Sequence, residues 1–567
     1  MKPVVVGLCS GTHDSAAALI MDGSLVGLVE EERLNGEKHT KAYPERSVGW
    51  LLRTAGLSAA DVTDVAYNFS PRLYLRGATP WWHLRPATAP RALPRVRSFL
   101  RVHGRASERL RAFGQRFPNA ALHGVEHHRA HGLYAFAASL FEQAAVLVVD
   151  SLGETTTTSI CTARREAAGV ALTGRWSLPD PASLGYAYGA VTEHLGWRRG
   201  DEEGTVMALA ALGDPTRFRA LFAEAISITA DAFALDPSWF PLRVMSSRYP
   251  RLSPAFVAAT CPRRMPAEEP GQIHADLAAA LQERTEQVMV HLAVQARHRT
   301  GQRALCVGGG VALNCVSLGK IVERAGYDEV FVPPAPGDSG TAAGAALAVH
   351  QTRAPRLVEG VDGRCYLGPE FPGLDLGSQP RPGMTAHRPA HAARYLAGQL
   401  AQGKIVGLFQ GALEAGPRAL GNRSILASPL KPEVVERLNA RVKFREPFRP
   451  FAPVVTAEHA RQYFTLRQAA PFMSFASGVT DRAREMIPAV VHDNGLARVQ
   501  TLDSDRNPFL HSVLSEFAAI TGVPVLINTS LNIKGKPICG TPDHALDCLT
   551  ESGIDALLLE GWWVEET

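Results

Sequence analysis

The sequence predicts an α/β protein of two or three domains whose larger part is built on a duplicated strand–turn unit. Three observations carry this. The chain has 567 residues, too many for one hydrophobic core. Short apolar runs that end in glycine-containing polar turns recur near residues 4–11, 144–154 and 304–310. Alanine-rich helical stretches lie at residues 277–299 and 340–350. A hydrophobic fraction of 46% and a charged fraction of 20% are those of an ordinary globular protein.

In chain order, residues 4–8 are apolar and end in the turn Gly7 to Gly11, and residues 16–21 meet Asp22-Gly23, a hairpin signal. The pattern returns as a strand at 144–150, a turn at 151–154 and a β-rich run at 155–161. Two such units with polar tips predict a fold that holds phosphates between its halves. A third segment reads as strand 304–307, then Gly308-Gly309-Gly310, then helix 311–321. Around residues 351–382 the composition shifts to Gly, Pro and charge without periodicity. The expected division is a domain at 1–355, a linker at 356–375 and a second domain at 376–567.

Composition limits the function classes. A net charge of +4 over this length argues against nucleic acid as the main partner. Eight cysteines include no CxxC pair, which favours reduced thiols over disulfides or a zinc ribbon. The first residues turn polar before an apolar signal core develops, and no apolar run approaches the roughly 18 residues of a membrane span. A cytoplasmic protein without a membrane span is expected. Between Arg72 and Ser107 there is no acidic residue, while eight arginines accumulate around Trp81-Trp82. This segment reads either as a solvated helical insertion or as a surface for a membrane, a nucleic acid or an anionic acceptor.

Several residues have the chemistry of a site. In His127-His128-Arg129-Ala130-His131, the outer histidines are four apart and share one helical face, where they can grip one ion. Asp150 closes an apolar strand, where a carboxylate needs a partner. Asp338 lies in a glycine loop before an alanine-rich helix. Two imidazoles and two carboxylates suit Fe(II), Mn(II) or Zn(II) better than calcium. Gly308, Gly309 and Gly310 before a helix, with Ser339 beside Asp338, point to nucleotide phosphate. Further on, Arg418, Arg423, Lys443, Arg445, Arg449 and Arg498 stand among glycine and proline turns, followed by Asn528-Thr529-Ser530-Leu531-Asn532. Guanidinium forks with hydroxyl and amide tips make an anion pocket. His13-Asp14 reads either as a base with its orienting carboxylate or as a turn, and Lys38 and His39 follow an acidic run read as a solvated edge.

These motifs together resemble the O-carbamoyltransferases that decorate nodulation factors, cephems, aminoglycosides and ansamycin-type polyketides. The matching residues are His13-Asp14-Ser15-Ala16-Ala17, Glu30-Glu31-Glu32-Arg33, His127 to His131, Gly308-Gly309-Gly310-Val311-Ala312-Leu313-Asn314, Gly416-Pro417-Arg418-Ala419-Leu420-Gly421 and Asn528 to Asn532. The resemblance implies a duplicated actin-like ATPase-type (ASKHA) domain followed by a smaller α/β YrdC-like domain. It implies that the smaller domain makes carbamoyl adenylate from carbamoyl phosphate and ATP. The larger domain would pass the carbamoyl group to a hydroxyl of a natural-product acceptor, beside Fe(II) or another divalent ion.

By position, the metal ligands implied are His127, His131, Asp150 and Asp338, and the nucleotide contacts are Gly308, Gly309, Gly310, Asn314 and Ser339. The carbamoyl phosphate and ATP pocket, with Mg(II), would use Arg418, Arg423, Lys443, Arg449, Arg498, Asn528 and Ser530. His13 and Lys38 fall at the transfer site, His13 as the base. Trp81-Trp82 and the arginine-rich insertion would wall the acceptor. Two departures stand out: Thr205 follows Gly204 where the family often has lysine, and Ser151 follows Asp150 where it usually has glycine. The rival readings are a sugar-kinase-like or heat-shock-like ATPase, a tRNA threonylcarbamoyl-transfer factor and a regulatory module without catalysis. The acceptor and the oligomeric state stay open, with a homodimer among the options.

Overall fold

The computed structural model describes residues 2–79, 92–241, 250–377, 381–444, 446 and 448–567. The expected Trp81-Trp82 wall, with Arg85, Arg91 and Arg445, lies outside these residues. The chain is a mixed α/β protein of two compact units, one of Met1–Leu28 and Lys41–Arg364, the other of Val29–Thr40 and Cys365–Thr567. The changeover after Arg364 falls within the expected linker at 356–375, but an early segment expected in the first domain, Val29–Thr40, belongs with the C-terminal residues. The reason is local bonding: the Gly416 amide donates to Glu30 Oε1 at 2.6 Å, and Arg33 Nη2 donates to Gly416 O at 2.8 Å. The run Glu30 to Arg33 is therefore buried, not a solvated edge.

The first unit holds two five-stranded sheets. One contains β1 (Val4–Cys9), β2 (Ala16–Met21), β3 (Ser24–Glu30), β4 (Asp64–Tyr67) and β5 (Ala121–Gly124), in the order β3-β2-β1-β4-β5. The other contains β6 (Gln143–Gly153), β7 (Thr156–Glu166), β8 (Gly169–Pro179), β9 (Ala304–Gly308) and β10 (Glu329–Phe331), in the order β8-β7-β6-β9-β10. In each, the central strand pairs antiparallel with the strand after it and parallel with the fourth, which pairs parallel with the fifth. Order and polarity thus coincide in the two sheets.

Helix α1 (Ala92–Arg116) covers the first sheet, inserting Phe99 and Phe113 among Val6, Leu8, Leu19, Val65 and Tyr67. It begins inside the basic segment, whose Arg95 is buried and paired with Asp180 while Arg97, Arg101 and Arg105 are exposed. Helices α2 (His127–Ala137), α3 (Gln272–Thr300), α4 (Cys315–Arg324) and α5 (Thr341–Arg353) follow. The helix expected from residue 311 starts later, because Gly310–Leu313 forms a 3₁₀ turn and the Asn314 side chain caps α4 by accepting from Ser317 N at 3.0 Å.

The small residues of α5 let backbones meet. A Cβ on Gly7 of β1 would stand 1.9 Å from Ala342 O, and one on Gly344 would stand 1.9 Å from Ala130 O of α2. Neither position tolerates a side chain without moving a backbone.

The second unit is built on an eight-stranded sheet. Its strands are β11 (Met384–His387), β12 (Val406–Phe409), β13 (Arg423–Ala427), β14 (Ala452–Thr456), β15 (Gln500–Leu502), β16 (Val525–Ser530), β17 (Ala556–Leu559) and β18 (Trp562–Glu566). Their order is β11-β18-β17-β12-β13-β16-β14-β15. Alternate residues serve opposite faces. Leu408, Leu426, Leu526 and Leu558 meet α6 (Ala392–Ala401) and α7 (Pro508–Thr521) through Leu396, Leu400, Leu514 and Phe517. Phe409, Ile425, Ile527 and Leu557 lie on the other face with Leu546 and Leu549 of α8 (Pro542–Glu551).

Because α2 carries two candidate ligands, Gly344→Ala should lower stability by about 1–3 kcal/mol and also reduce metal content. Denaturant unfolding and elemental analysis of the same preparations check both.

Candidate functional site

In the first unit, the site residues stand just past the carboxyl ends of strands, where α/β sheets present loops to ligands. Thr12 and His13 follow β1, Asn68 follows β4, His127 follows β5, Gly310 follows β9 and Asp338 follows β10. Asp150 sits within β6 at a register shift between Val149 and Gly153, so its carboxylate leaves the regular ladder. This bulge also corrects the expected turn at 151–154. The strand continues to Gly153, and the turn is Glu154-Thr155.

His127, His131, Asp150 and Asp338 are all buried, and one ligand atom from each lies within 4.8 Å of the others. The two Nε2 atoms are 3.1 Å apart. His127 Nε2 is 3.5 Å from Asp150 Oδ2 and 3.4 Å from Asp338 Oδ1, and His131 Nε2 is 3.7 Å from Asp338 Oδ1. Bonds of about 2.0–2.2 Å to one ion produce ligand–ligand edges of roughly 2.9–3.5 Å, so three of these four separations match a single divalent cation and the His131–Asp338 one is slightly longer. Burial opposes a charge on His127, but Asp338 and Asp150 outweigh it and hold its pKa well above the usual value. Burial likewise opposes the charged carboxylates, yet His127 holds both Asp150 and Asp338 below their usual range. Such a cluster calls for positive charge at its centre.

Surrounding groups aim His127, Asp150 and Asp338. Asn68 O accepts from His127 Nδ1 at 3.1 Å, which leaves Nε2 to face the carboxylates. The His127 ring stacks on Phe69 with centroids 4.3 Å apart and planes 4° from parallel. Gly310 N donates to Asp150 Oδ1 at 3.1 Å, and Thr12 Oγ1 donates to Asp338 Oδ2 at 3.0 Å. Each carboxylate thus keeps one oxygen for the imidazoles. Glu154 accepts from Ser70 N at 2.7 Å and from His127 N at 3.2 Å, placing a carboxylate at the N-terminus of α2. Burial pushes its pKa up to about 7.

The other expected residues divide clearly. The Gly308–Gly310 turn supports the ligand set: Gly309 N donates to Pro336 O at 2.9 Å, and a Cβ on Gly309 would lie 2.3 Å from Val149 O. Asn314 is tied to Ser317 and to Gln282, to which it donates at 2.9 Å. Ser339 is buried beside Asp338 in a 3₁₀ turn. His13 Nδ1 is 2.8 Å from Asp14 Oδ2. Desolvation works against its protonation, but Asp14 and Asp338 raise its pKa. Lys38 belongs to the second unit. Thr205 is buried in a short helix, Glu203–Leu209.

In the second unit, Lys443 is buried, and its Nζ donates to Ser530 O and, at 2.8 Å, to Asn532 Oδ1. Ser530 Oγ donates to the same Asn532 oxygen at 2.7 Å. Lys443, Ser530 and Asn532 therefore form one cluster. Arg418, Arg449 and Arg498 are half-buried, and Arg449 Nη1 is 3.8 Å from Glu446.

Two expectations are corrected. Arg423 is no surface phosphate contact: it is fully buried over the Phe409 ring and donates to Gln410 O, Asn422 O, Pro369 O and Gly411 O at 2.6–3.1 Å. Burial lowers its pKa to about 10, which leaves it charged at neutral pH. Asn528 is buried too, donating to Gln500 Oε1 at 2.7 Å and Ala419 O at 3.2 Å. Both hold the loop between β12 and β13.

Sequence reasoning missed Thr12, Asn68, Glu154, Glu414 and Gln500. Glu414 Oε1 accepts three amides, from Leu420, Asn422 and Arg423, at 2.8–2.9 Å. A carboxylate placed just before the glycine-rich run was the available signal for it.

The site and the topology define a two-part α/β protein with a buried cluster of two histidines and two aspartates in one part, and a buried lysine and a side-chain-braced polar loop in the other. The family description Carbamoyltransferase N-terminus matches residues 106–347, and Carbamoyltransferase C-terminus matches residues 397–566. The chain belongs to this carbamoyltransferase family. Its relatives include an uncharacterized protein, sll1178, of Synechocystis sp., 33% identical across 99% of this chain and 97% of that protein. Another is nodulation protein NolNO of Sinorhizobium fredii, 32% identical across 98% of this chain and 79% of that protein. Among solved structures, T. kodakarensis HypF aligns at 13% identity over 64% of this chain and 48% of that chain, with a TM-score of 0.31, too low for a fold argument.

Replacing Arg423 by Met would remove a donor from four carbonyls, of which Asn422 O and Pro369 O keep a backbone amide while Gln410 O and Gly411 O lose their partner. Urea unfolding should show a loss of at least about 3 kcal/mol, and Arg423→Lys should recover little of it.

Proposed function

We propose that this protein is an ATP-dependent O-carbamoyltransferase that modifies a hydroxyl of a small-molecule natural product. With one water the second unit hydrolyses carbamoyl phosphate to carbamate and phosphate, the carbamate oxygen then attacks the α-phosphorus of ATP with release of pyrophosphate to give carbamoyl adenylate, and the first unit carries out the transfer. The observation that carries this reading is the four-residue ligand set of His127, His131, Asp150 and Asp338, in a chain that belongs to the carbamoyltransferase family along nearly its whole length. The matching order and polarity of the two sheets support a duplicated actin-like ATPase-type architecture for the first unit. A YrdC-like second domain remains part of the proposal.

Each residue has a role that its surroundings permit. His127, His131, Asp150 and Asp338 would hold Fe(II) or a similar divalent ion, with Gly310, Thr12 and Asn68 fixing their directions. When bound, the ion supplies Lewis-acid polarisation of the carbamoyl carbonyl. His13, held by Asp14, takes the proton of the acceptor hydroxyl as the oxygen attacks that carbonyl carbon, and AMP leaves. In the second unit, Lys443 with Ser530 supplies the fixed positive and hydroxyl groups for the phosphates, and Arg418, Arg449 and Arg498 are candidates for further phosphate contacts. The loop that carries Arg418 is held by Arg423, Glu414 and Asn528, so its phosphate-binding groups need little reorganisation. Among the described residues no helix is long and apolar enough to cross a membrane.

The test separates the half-reactions. Protein incubated with carbamoyl phosphate, ATP and candidate alcohols should yield a carbamate ester by mass spectrometry, with pyrophosphate release that depends on carbamoyl phosphate. His127→Ala should lose metal and transfer together, by at least about 100-fold, while pyrophosphate release persists. Lys443→Met should show the converse: full metal content and pyrophosphate release down at least about 100-fold. Formation of ADP and a phosphorylated acceptor would replace this reading with a kinase. Equal loss of both activities in His127→Ala would remove the two-site scheme.

A further inference from the structure

We propose that Arg109 is an anion-binding residue of the first unit, placed to hold a phosphate group of the nucleotide-linked carbamoyl donor; this rests on the carbamoyl-transfer reading above. Arg109 lies on α1 and is half-buried. Its polar partner among the described residues is the Tyr67 hydroxyl, 3.2 Å from Nη1, and none of them pairs it with a carboxylate. Tyr67 offers no countercharge, since burial pushes its pKa up to about 12 and its hydroxyl donates onward to Ser10 O at 3.2 Å. The contrast on the same helix is Arg95, which is buried and paired with Asp180. Arg95 is neutralised within the fold, whereas Arg109 has no carboxylate partner among the described residues. Holding a partly desolvated guanidinium without a countercharge costs free energy that an incoming anion would offset.

Its position says which anion. The guanidinium lies directly on Gly11: a Cβ there would fall 1.8–2.1 Å from Cζ, Nη1 and Nη2. Gly11 also has φ +87°, so the loop is shaped for a residue without a side chain. The next residue, Thr12, donates to the metal-ligand candidate Asp338 at 3.0 Å. Arg109 thus stands one residue along the loop from the ligand set, beside a region made negative by Asp14, Asp150 and Asp338. A donor carrying phosphate would be repelled there without a cation, and a guanidinium fork matches phosphate oxygens two at a time.

The test uses the full-length protein loaded with Mn(II), with ADP and inorganic phosphate as probes in calorimetry. Arg109→Met should weaken ADP binding at least tenfold with metal content unchanged, and Arg109→Lys should restore only part of it, because an ammonium cannot fork. In the wild type, ADP should slow phenylglyoxal modification of Arg109, followed by peptide mass spectrometry, which keeps the proposal testable if Arg109→Met does not fold. Equal ADP affinity in Arg109→Met, or an unchanged modification rate, would overturn it. Loss of metal alongside loss of ADP would also overturn it, by making Arg109 a support for the ligand set. Wild-type protein that forms carbamate esters yet binds neither probe in the first unit would sink this proposal and leave the carbamoyl-transfer reading standing. Protein that binds ADP through Arg109 but never forms a carbamate would sink that reading instead.

Discussion

Two carboxylates buried within reach of the same imidazole repel each other in a medium that screens poorly, and the first unit is organised around that difficulty. Asp150 and Asp338 arrive from strands of one sheet, while His127 and His131 arrive on a helix that follows the other. Bringing them together demands that backbones approach closely, which explains why glycine stands at 7, 309 and 344. It also explains why each carboxylate gives its outer oxygen to a fixed donor. Without Gly310 N and Thr12 Oγ1, either side chain could rotate and relieve the repulsion without a cation. The directions of the two carboxylates thus originate in constraints one layer out from them.

The second unit solves a different problem. Its glycine-rich loop leaves carbonyls without a backbone partner, and a buried arginine collects two of them, Gln410 O and Gly411 O, together with Asn422 O and Pro369 O. Glu414 does the reciprocal job for three amides. A guanidinium and a carboxylate act here as structural counterparts, one collecting acceptors and the other donors. The loop is consequently held in one conformation by side chains, without relying on a strand or helix.

How much of this could be read beforehand differs by element. The strands at residues 4–9, 16–21 and 304–308 were legible because apolar runs bounded by glycine turns have few alternatives. The set His127, His131, Asp150 and Asp338 was legible because helical spacing and a carboxylate closing an apolar strand are chemically conspicuous. Arg423 and Asn528 were misread for one reason: a polar side chain in a glycine-rich stretch looks the same whether it faces a ligand or caps loose backbone groups. Thr12 and Asn68 were invisible because they act through one hydroxyl and one carbonyl, and only the fold places those near a ligand. The bulge at Asp150 was equally hidden, since alternation cannot reveal where one residue leaves the ladder.

The segment Val29–Thr40 has a further consequence, for how the chain is made. It is synthesised early, yet the residues it bonds, such as Gly416, come far later. At about 5–20 residues per second, the ribosome needs on the order of tens of seconds to supply them. Through that interval Glu30, Glu32 and Arg33 lack the neighbours that bury them, and water must keep them solvated. A charged run suits this wait better than an apolar one, because it stays soluble while unpartnered. Cutting the gene near residue 365 to express the C-terminal part alone would therefore remove the clamp on Gly416, whatever the quality of the remaining core.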